Sequence, residues 1–230
     1  MSKLDRGASG LRHLRWAREI YATLAAHVEA TELGASRKTA LEKELVRLDA
    51  RIQSLSAAVK AYRDFLERER VRYRGLVRAA LFACAEASEQ VLEQHPSVGF
   101  AVAVTQDGTP GTLTAAQLEV VRMRSMAAAL ADEREAKARK RAPELTSASG
   151  RLESAIELFQ NEALPRQRSF KAALEISVAE LRAFLLEMDG RIASLLSEAF
   201  VASLYPALVA DRSRVADEGD DDDDAAARAD

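Results

Sequence analysis

The stretch LEKELVRLDARIQSLSAAVKAYRDFL, residues 41–66, carries Leu41, Leu45, Leu48, Ile52, Leu55, Val59, Tyr62 and Leu66 at spacings of 4, 3, 4, 3, 4, 3 and 4. Side chains at that spacing share one stripe of a helix, the pattern of coiled-coil packing. The eight residues are therefore expected to form the packing or oligomerisation seam. With Leu41 at a d position, the apolar g positions Ala58 and Phe65 widen the stripe. A wide seam points to contact with more than one helix, as in a bundle.

Working outward, Leu11, Leu14, Ile20 (or Tyr21), Leu24 and Val28 predict an amphipathic helix over 10–31, stopped at Leu33-Gly34. Ser36, or Thr39 in the capping-box pattern Thr39-x-x-Glu42, should start the long helix, and His95-Pro96 should end it near Gln94. Such a helix would be about 90 Å long, which predicts an elongated molecule. Beyond Leu66 the stripe resumes with Tyr73, Leu76, Ala80, Ala83 and Ala87, and the apolar run Ala79 to Ala85 is expected to be enclosed. Thr114-x-x-Gln117 should cap a helix reaching Arg141, and Pro143 with the 146–150 Thr/Ser/Gly cluster should break the chain. A shorter helix would carry Leu152, Ile156 and Phe159 until Pro165 ends or kinks it. The last long helix carries Phe170, Leu174, Val178, Leu181, Leu185, Met188, Ile192 and Leu195, with a stutter onto Leu196, Phe200 and Leu204 and an end near Pro206. The expected fold is an all-α, elongated antiparallel helical bundle or coiled coil with one irregular tip. Its parts are an N-terminal helix (1–35), the long-helix bundle (36–210) and a disordered acidic tail (211–230).

The tip is residues 95–113. Residues 98–104 alternate like a strand, and 105–111 are dense in turn residues. Such a segment either tucks Phe100 and Val102 over the bundle end or forms a β-hairpin that docks on a partner. In the second case Phe100, Val102, Val104, Asp107 and Gly108 would make the contact.

Composition agrees with long packed helices: alanine is roughly a fifth of the 230 residues and aromatics only 5%. Arginine (26) far outnumbers lysine (7), which with abundant alanine points to a GC-rich, bacterial genome. A single cysteine, Cys84 among apolar neighbours, permits no intrachain disulfide and fits a reducing compartment. The N-terminus has no secretory apolar core, and the longest apolar run is seven residues, against about 20 for a membrane span. The expected location is the cytoplasm. Net charge is −3, but residues 211–230 alone carry −6, so the rest is mildly basic at +3.

Candidate chemistry is sparse. His13, His27 and His95 are scattered and none stands in Glu-x-x-His, which argues against a di-iron bundle, a zincin or any protein metal site. No phosphate-binding Gly-x-x-x-x-Gly-Lys-Ser/Thr loop is present. Glu86, Glu89 and Glu93 line one helix face, as do Glu153 and Glu157, and both sets read as solvated surface. Arg68, Arg70, Arg72, Arg74 and Arg78 spread around the helix and form no phosphate-tracking face, so nucleic acid is not an expected partner. Lys137, Arg139, Lys140 and Arg141 are the candidate anion-binding cluster, placed at a predicted helix C-terminus where the macrodipole favours cations. The Asp220 to Asp224 run either keeps the chain soluble or folds back on that cluster.

No catalytic, cofactor-binding or metal-binding residues are assigned. The expected function is that of a non-enzymatic structural or adaptor protein, acting through coiled-coil homo-oligomerisation and protein contacts in a bacterial assembly. In size and helix length the chain is also similar to curved helical dimers of the BAR type, a likeness that rests on no motif. That resemblance implies the alternative, a peripheral protein binding anionic membrane surfaces through its arginines.

Overall fold

A computed structural model describes residues 9–96, 98 and 113–205. The described residues are all-helical: α1 (Gly10–Ala30), α2 (Ala35–Asp64), a π-helical turn (Phe65–Arg70), α3 (Val71–Gln94), α4 (Leu113–Ala131), α5 (Ala136–Leu158), a second π turn (Phe159–Ala163), α6 (Leu164–Leu195) and α7 (Glu198–Ser203). They divide into two compact units, one of the described residues up to Asp64 and from Arg168 onward, the other of those between Phe65 and Gln167. Among the described residues no helix is long and apolar enough to cross a membrane. The proposed tip residues Phe100, Val102, Val104, Asp107 and Gly108, and the acidic tail, lie outside the described residues.

The first unit is built on α1, α2, α6 and α7. Ser9 caps α1 by accepting a bond from the Arg12 amide. Leu14, Ala17, Ile20, Leu24 and Val28 then recur every three or four residues along the buried face. His13 and Trp16 join that face, their rings meeting edge-on at 5.4 Å. Leu11, expected there, is exposed instead. Leu41, Leu45, Leu48, Ile52 and Leu55 pack into one core with the α1 residues and with Leu181, Leu185, Met188 and Ile192 of α6. The seam is thus covered by the chain's own helices. α2 and α6 run antiparallel, because Glu44 meets Arg191 and Arg51 meets Glu180. A Cβ on Gly10 would stand 2.8 Å from Leu174 Cδ1, so glycine lets the start of α1 approach α6 closely.

The second unit packs α3, α4 and α5 around Cys84, Val91, Val120, Met123, Met126, Leu130, Leu145, Leu152 and Ile156. α4 and α5 are antiparallel, with Arg124 bonded to Glu153 at 2.5 Å. The start of α3 meets the second π turn through Tyr73, whose hydroxyl donates to Glu162 at 2.8 Å. An ion pair joins Glu69 to Arg166.

Several boundaries differ from the sequence reading, each for a local reason. α2 begins at Ala35, with the Lys38 amide bonded to the Gly34 carbonyl, so Thr39 lies inside the helix and does not cap it. Thr114 likewise lies inside α4, which is described from Leu113. The helix expected to reach Arg141 ends at Ala131, and the turn falls on Asp132 to Glu135, where Arg139 Nη1 donates to the carbonyls of Glu133 and Arg134. α5 then runs through Pro143, because Ala138, Ala142, Leu145, Ser149, Leu152 and Ile156 keep a buried 4-3 repeat across it. Thr146 and Ser149, read as breakers, donate their hydroxyls to the carbonyls of Ala142 and Thr146.

Pro165 ends no helix either. It follows a π turn in which the Leu164 amide reaches the Phe159 carbonyl, and the wider turn makes room for the ring. The first π turn moves the seam of the long helix: Phe65 is buried, while Tyr62 and Leu66 are half-buried. After α6 the expected stutter is a break at Leu196 and Ser197, and Ser197 caps α7 by accepting from the Phe200 amide. Val98, expected to open a strand, closes a turn onto the His95 carbonyl and is buried in the second unit.

Candidate interaction surface

α3 turns one side to its own unit and leaves the other open. Its buried positions are Cys84, Ser88 and Val91. At about 100° per residue, Phe82 projects to nearly the opposite side, and it is 73% exposed. Val71, Gly75, Ala79 and Ala85 fall within about 60° of Phe82 on the same count and are exposed as well. They form an apolar stripe along the outer face. Arg78 lies one turn before Phe82 and Glu86 one turn after it, with Glu89 and Glu93 continuing the acidic side, all four exposed. Arg78, Glu86, Glu89 and Glu93 make no ion pair among the described residues. The run from Ala79 to Ala85, expected to be enclosed, is therefore split: Cys84 points inward and Phe82 outward.

Sequence reasoning missed this surface by treating the run as uniformly apolar. The signal was in its flanks. Charged residues at positions −4, +4 and +7 from Phe82 place it on a solvent face, whereas Cys84 is followed by Ser88 and Val91 on the inner one.

Other charged clusters pair within the chain. Glu44, 5% exposed, holds Arg47 at 3.0 Å and Arg191 at 2.9 Å, and Arg191 also pairs with Glu187 and lies over the Phe184 ring at 5.7 Å. Arg47, Phe184, Glu187 and Arg191 line an open cleft of about 390 Å³ with Ala50 and Arg51, the last itself bound to Glu180. Desolvation pulls the Arg191 guanidinium down, but Glu44 and Glu187 outweigh it and the group ends above its ordinary value. Three arginines against Glu44, Glu180 and Glu187 leave no net positive field for an anion. An apolar groove of about 790 Å³ runs between α4 and α5 past Ala127, Ala131, Ala142 and Pro143. Arg124 and Arg139 at its edges are held by Glu153 and by backbone carbonyls.

The basic cluster sits at the opposite helix end from the one expected. Lys137, Arg139, Lys140 and Arg141 occupy the first two turns of α5, where the macrodipole disfavours cations. Arg139 caps the preceding turn and Arg141 pairs with Glu144 at 2.7 Å, so the four charges do not converge. Burial, aided by the Glu119 charge, pushes the Cys84 thiol up to about 11, which keeps it protonated and weakly nucleophilic at neutral pH. Glu86, Glu89 and Glu93 are not joined by a further ligand, and no metal-binding group occurs among the described residues.

No known protein family, curated protein or solved structure matches the chain.

Proposed function

We propose that this chain is a non-enzymatic structural or adaptor protein that works by presenting helix faces to other protein chains, with the outer face of α3 as its working surface. The observation that carries the reading is Phe82, 73% exposed in the middle of an apolar stripe, with charges on both sides that form no ion pair among the described residues. Scattered surface apolars are ordinary, but a contiguous stripe around an aromatic with a charged rim has the make-up of a protein interface. The first-unit seam supports this choice indirectly: its leucines are occupied within their own core, so a partner must use another face.

Affinity capture with the wild-type chain and with Phe82→Ser tests the reading, provided each captured protein is then purified and titrated. A partner that binds the wild type and loses about tenfold or more with Phe82→Ser is the expected result. Binding to anionic vesicles that is abolished by salt and indifferent to Phe82 would instead favour action at a membrane surface.

A further inference from the structure

The order of charges along the α3 face says what it fits. The N-terminal side of the stripe carries Arg78 and the C-terminal side carries Glu86, Glu89 and Glu93, with Phe82 between them. We propose that this face pairs with the same face of a second copy of the chain, the two α3 helices antiparallel about a two-fold axis at Phe82. The proposal rests on the reading of α3 as a protein-binding surface and names its partner.

A two-fold axis at residue 82 sets each residue opposite the one equally far on the other side. Phe82 meets Phe82, Ala79 meets Ala85, and Arg78 meets Glu86. The apolar residues thus coincide at the centre, and each arginine finds a glutamate at both ends of the contact. A parallel pair would set Arg78 on Arg78 and Glu86 on Glu86, so the charge pattern opposes it. A two-fold contact is self-complementary and closes at two subunits. Ala79 and Ala85, which flank Phe82 on this face, keep the helix surfaces low there, which lets the two rings pack together over them. The exposed ends of the stripe, Val71 and Glu93, are about 33 Å apart along the helix. A single helix pair of that length buries less than a standard interface of about 800 Å² per partner, so the dimer should be weak, with a Kd on the order of tens of micromolar.

Sedimentation equilibrium of the full chain from about 1 to 300 µM, a range spanning that affinity, tests the proposal. The wild type is expected to pass from monomer to dimer, more weakly at high salt. Phe82→Glu should weaken association by at least tenfold, and so should Arg78→Glu or Glu86→Arg alone. The double variant Arg78→Glu with Glu86→Arg should recover it to within about threefold, because the swapped charges again face opposites. All three positions are exposed, so circular dichroism and urea midpoints should stay at wild-type values. A wild type that remains monomeric throughout overturns the proposal, as does a dimer indifferent to Phe82→Glu or a double variant no better than the singles. The first outcome leaves the adaptor reading standing if a purified heterologous partner still depends on Phe82. Loss of that dependence with an intact dimer would sink the adaptor reading alone.

Discussion

Replacing Phe65 and Leu66 by alanine, one at a time, separates a heptad that runs straight through from one displaced by a π turn. An unbroken 4-3 repeat puts Leu66 on the seam and Phe65 beside it. In the structure Phe65 is 1% exposed within the π turn Phe65–Arg70, and Leu66 is half-buried. Truncating a buried phenylalanine costs about 3–5 kcal/mol, through lost transfer energy and the cavity left behind. A half-buried leucine gives up roughly half the transfer energy and leaves no closed cavity, so its truncation should cost about 1 kcal/mol. Followed by far-UV circular dichroism in urea, with m near 2 kcal/mol/M, Phe65→Ala should lower the midpoint by about 2 M and Leu66→Ala by about 0.5 M. Equal losses, or a larger loss for Leu66→Ala, would refute the π-turn displacement.

Pro143 and Gly150 lie inside α5, and a Cβ on Gly150 meets nothing within 4 Å. Gly150→Ala should therefore raise stability by about 0.5–1 kcal/mol and Pro143→Ala by about 1–3 kcal/mol, whereas a chain broken there would respond to neither. Glu44→Ala strips the buried partner from Arg47 and Arg191 and should cost about 1–3 kcal/mol in urea unfolding, against less than about 1 for Arg51→Ala, which removes an exposed pair. The folded Cys84 thiol holds its proton to about 11 against an ordinary 9.0, so the unfolded chain ionises first. The stability tied to Cys84 is full below about pH 9 and falls as pH rises towards 11, and Cys84→Ala should flatten that part of the profile. Burial and the hydrogen bond to Asp189 also raise the Tyr205 hydroxyl, which adds a further decline above pH 10 that Tyr205→Phe should remove.

The helical character of the chain was legible because periodicity is local. α1 was expected over 10–31 and spans Gly10–Ala30, and the end of α3 at Gln94 was signalled by His95-Pro96. Breaks were less legible. Pro143 and the Thr146 to Gly150 cluster carry strong local preferences, yet the buried repeat from Ala138 to Ile156 prevails over them because packing outweighs propensity. The real turn, Asp132 to Glu135, shows in the sequence only as four consecutive charges. π turns leave no local signature, so the slip from Leu66 to Phe65 had to come from three-dimensional packing. Phe82 was misread for the same reason: an apolar run reveals its inner and outer sides only when its charged neighbours are placed around the helix.

Cysteine cross-linking with a short bis-maleimide examines the α3 face most directly. Ala85→Cys, which keeps Phe82 in place, is made in a Cys84→Ala background, with Val46→Cys on α2, 72% exposed, as the matched control. A covalent dimer formed rapidly through position 85 and only slowly through position 46 is the predicted result. Equal yields at the two positions, or no dimer at position 85 at concentrations where the wild-type chain associates, would contradict it.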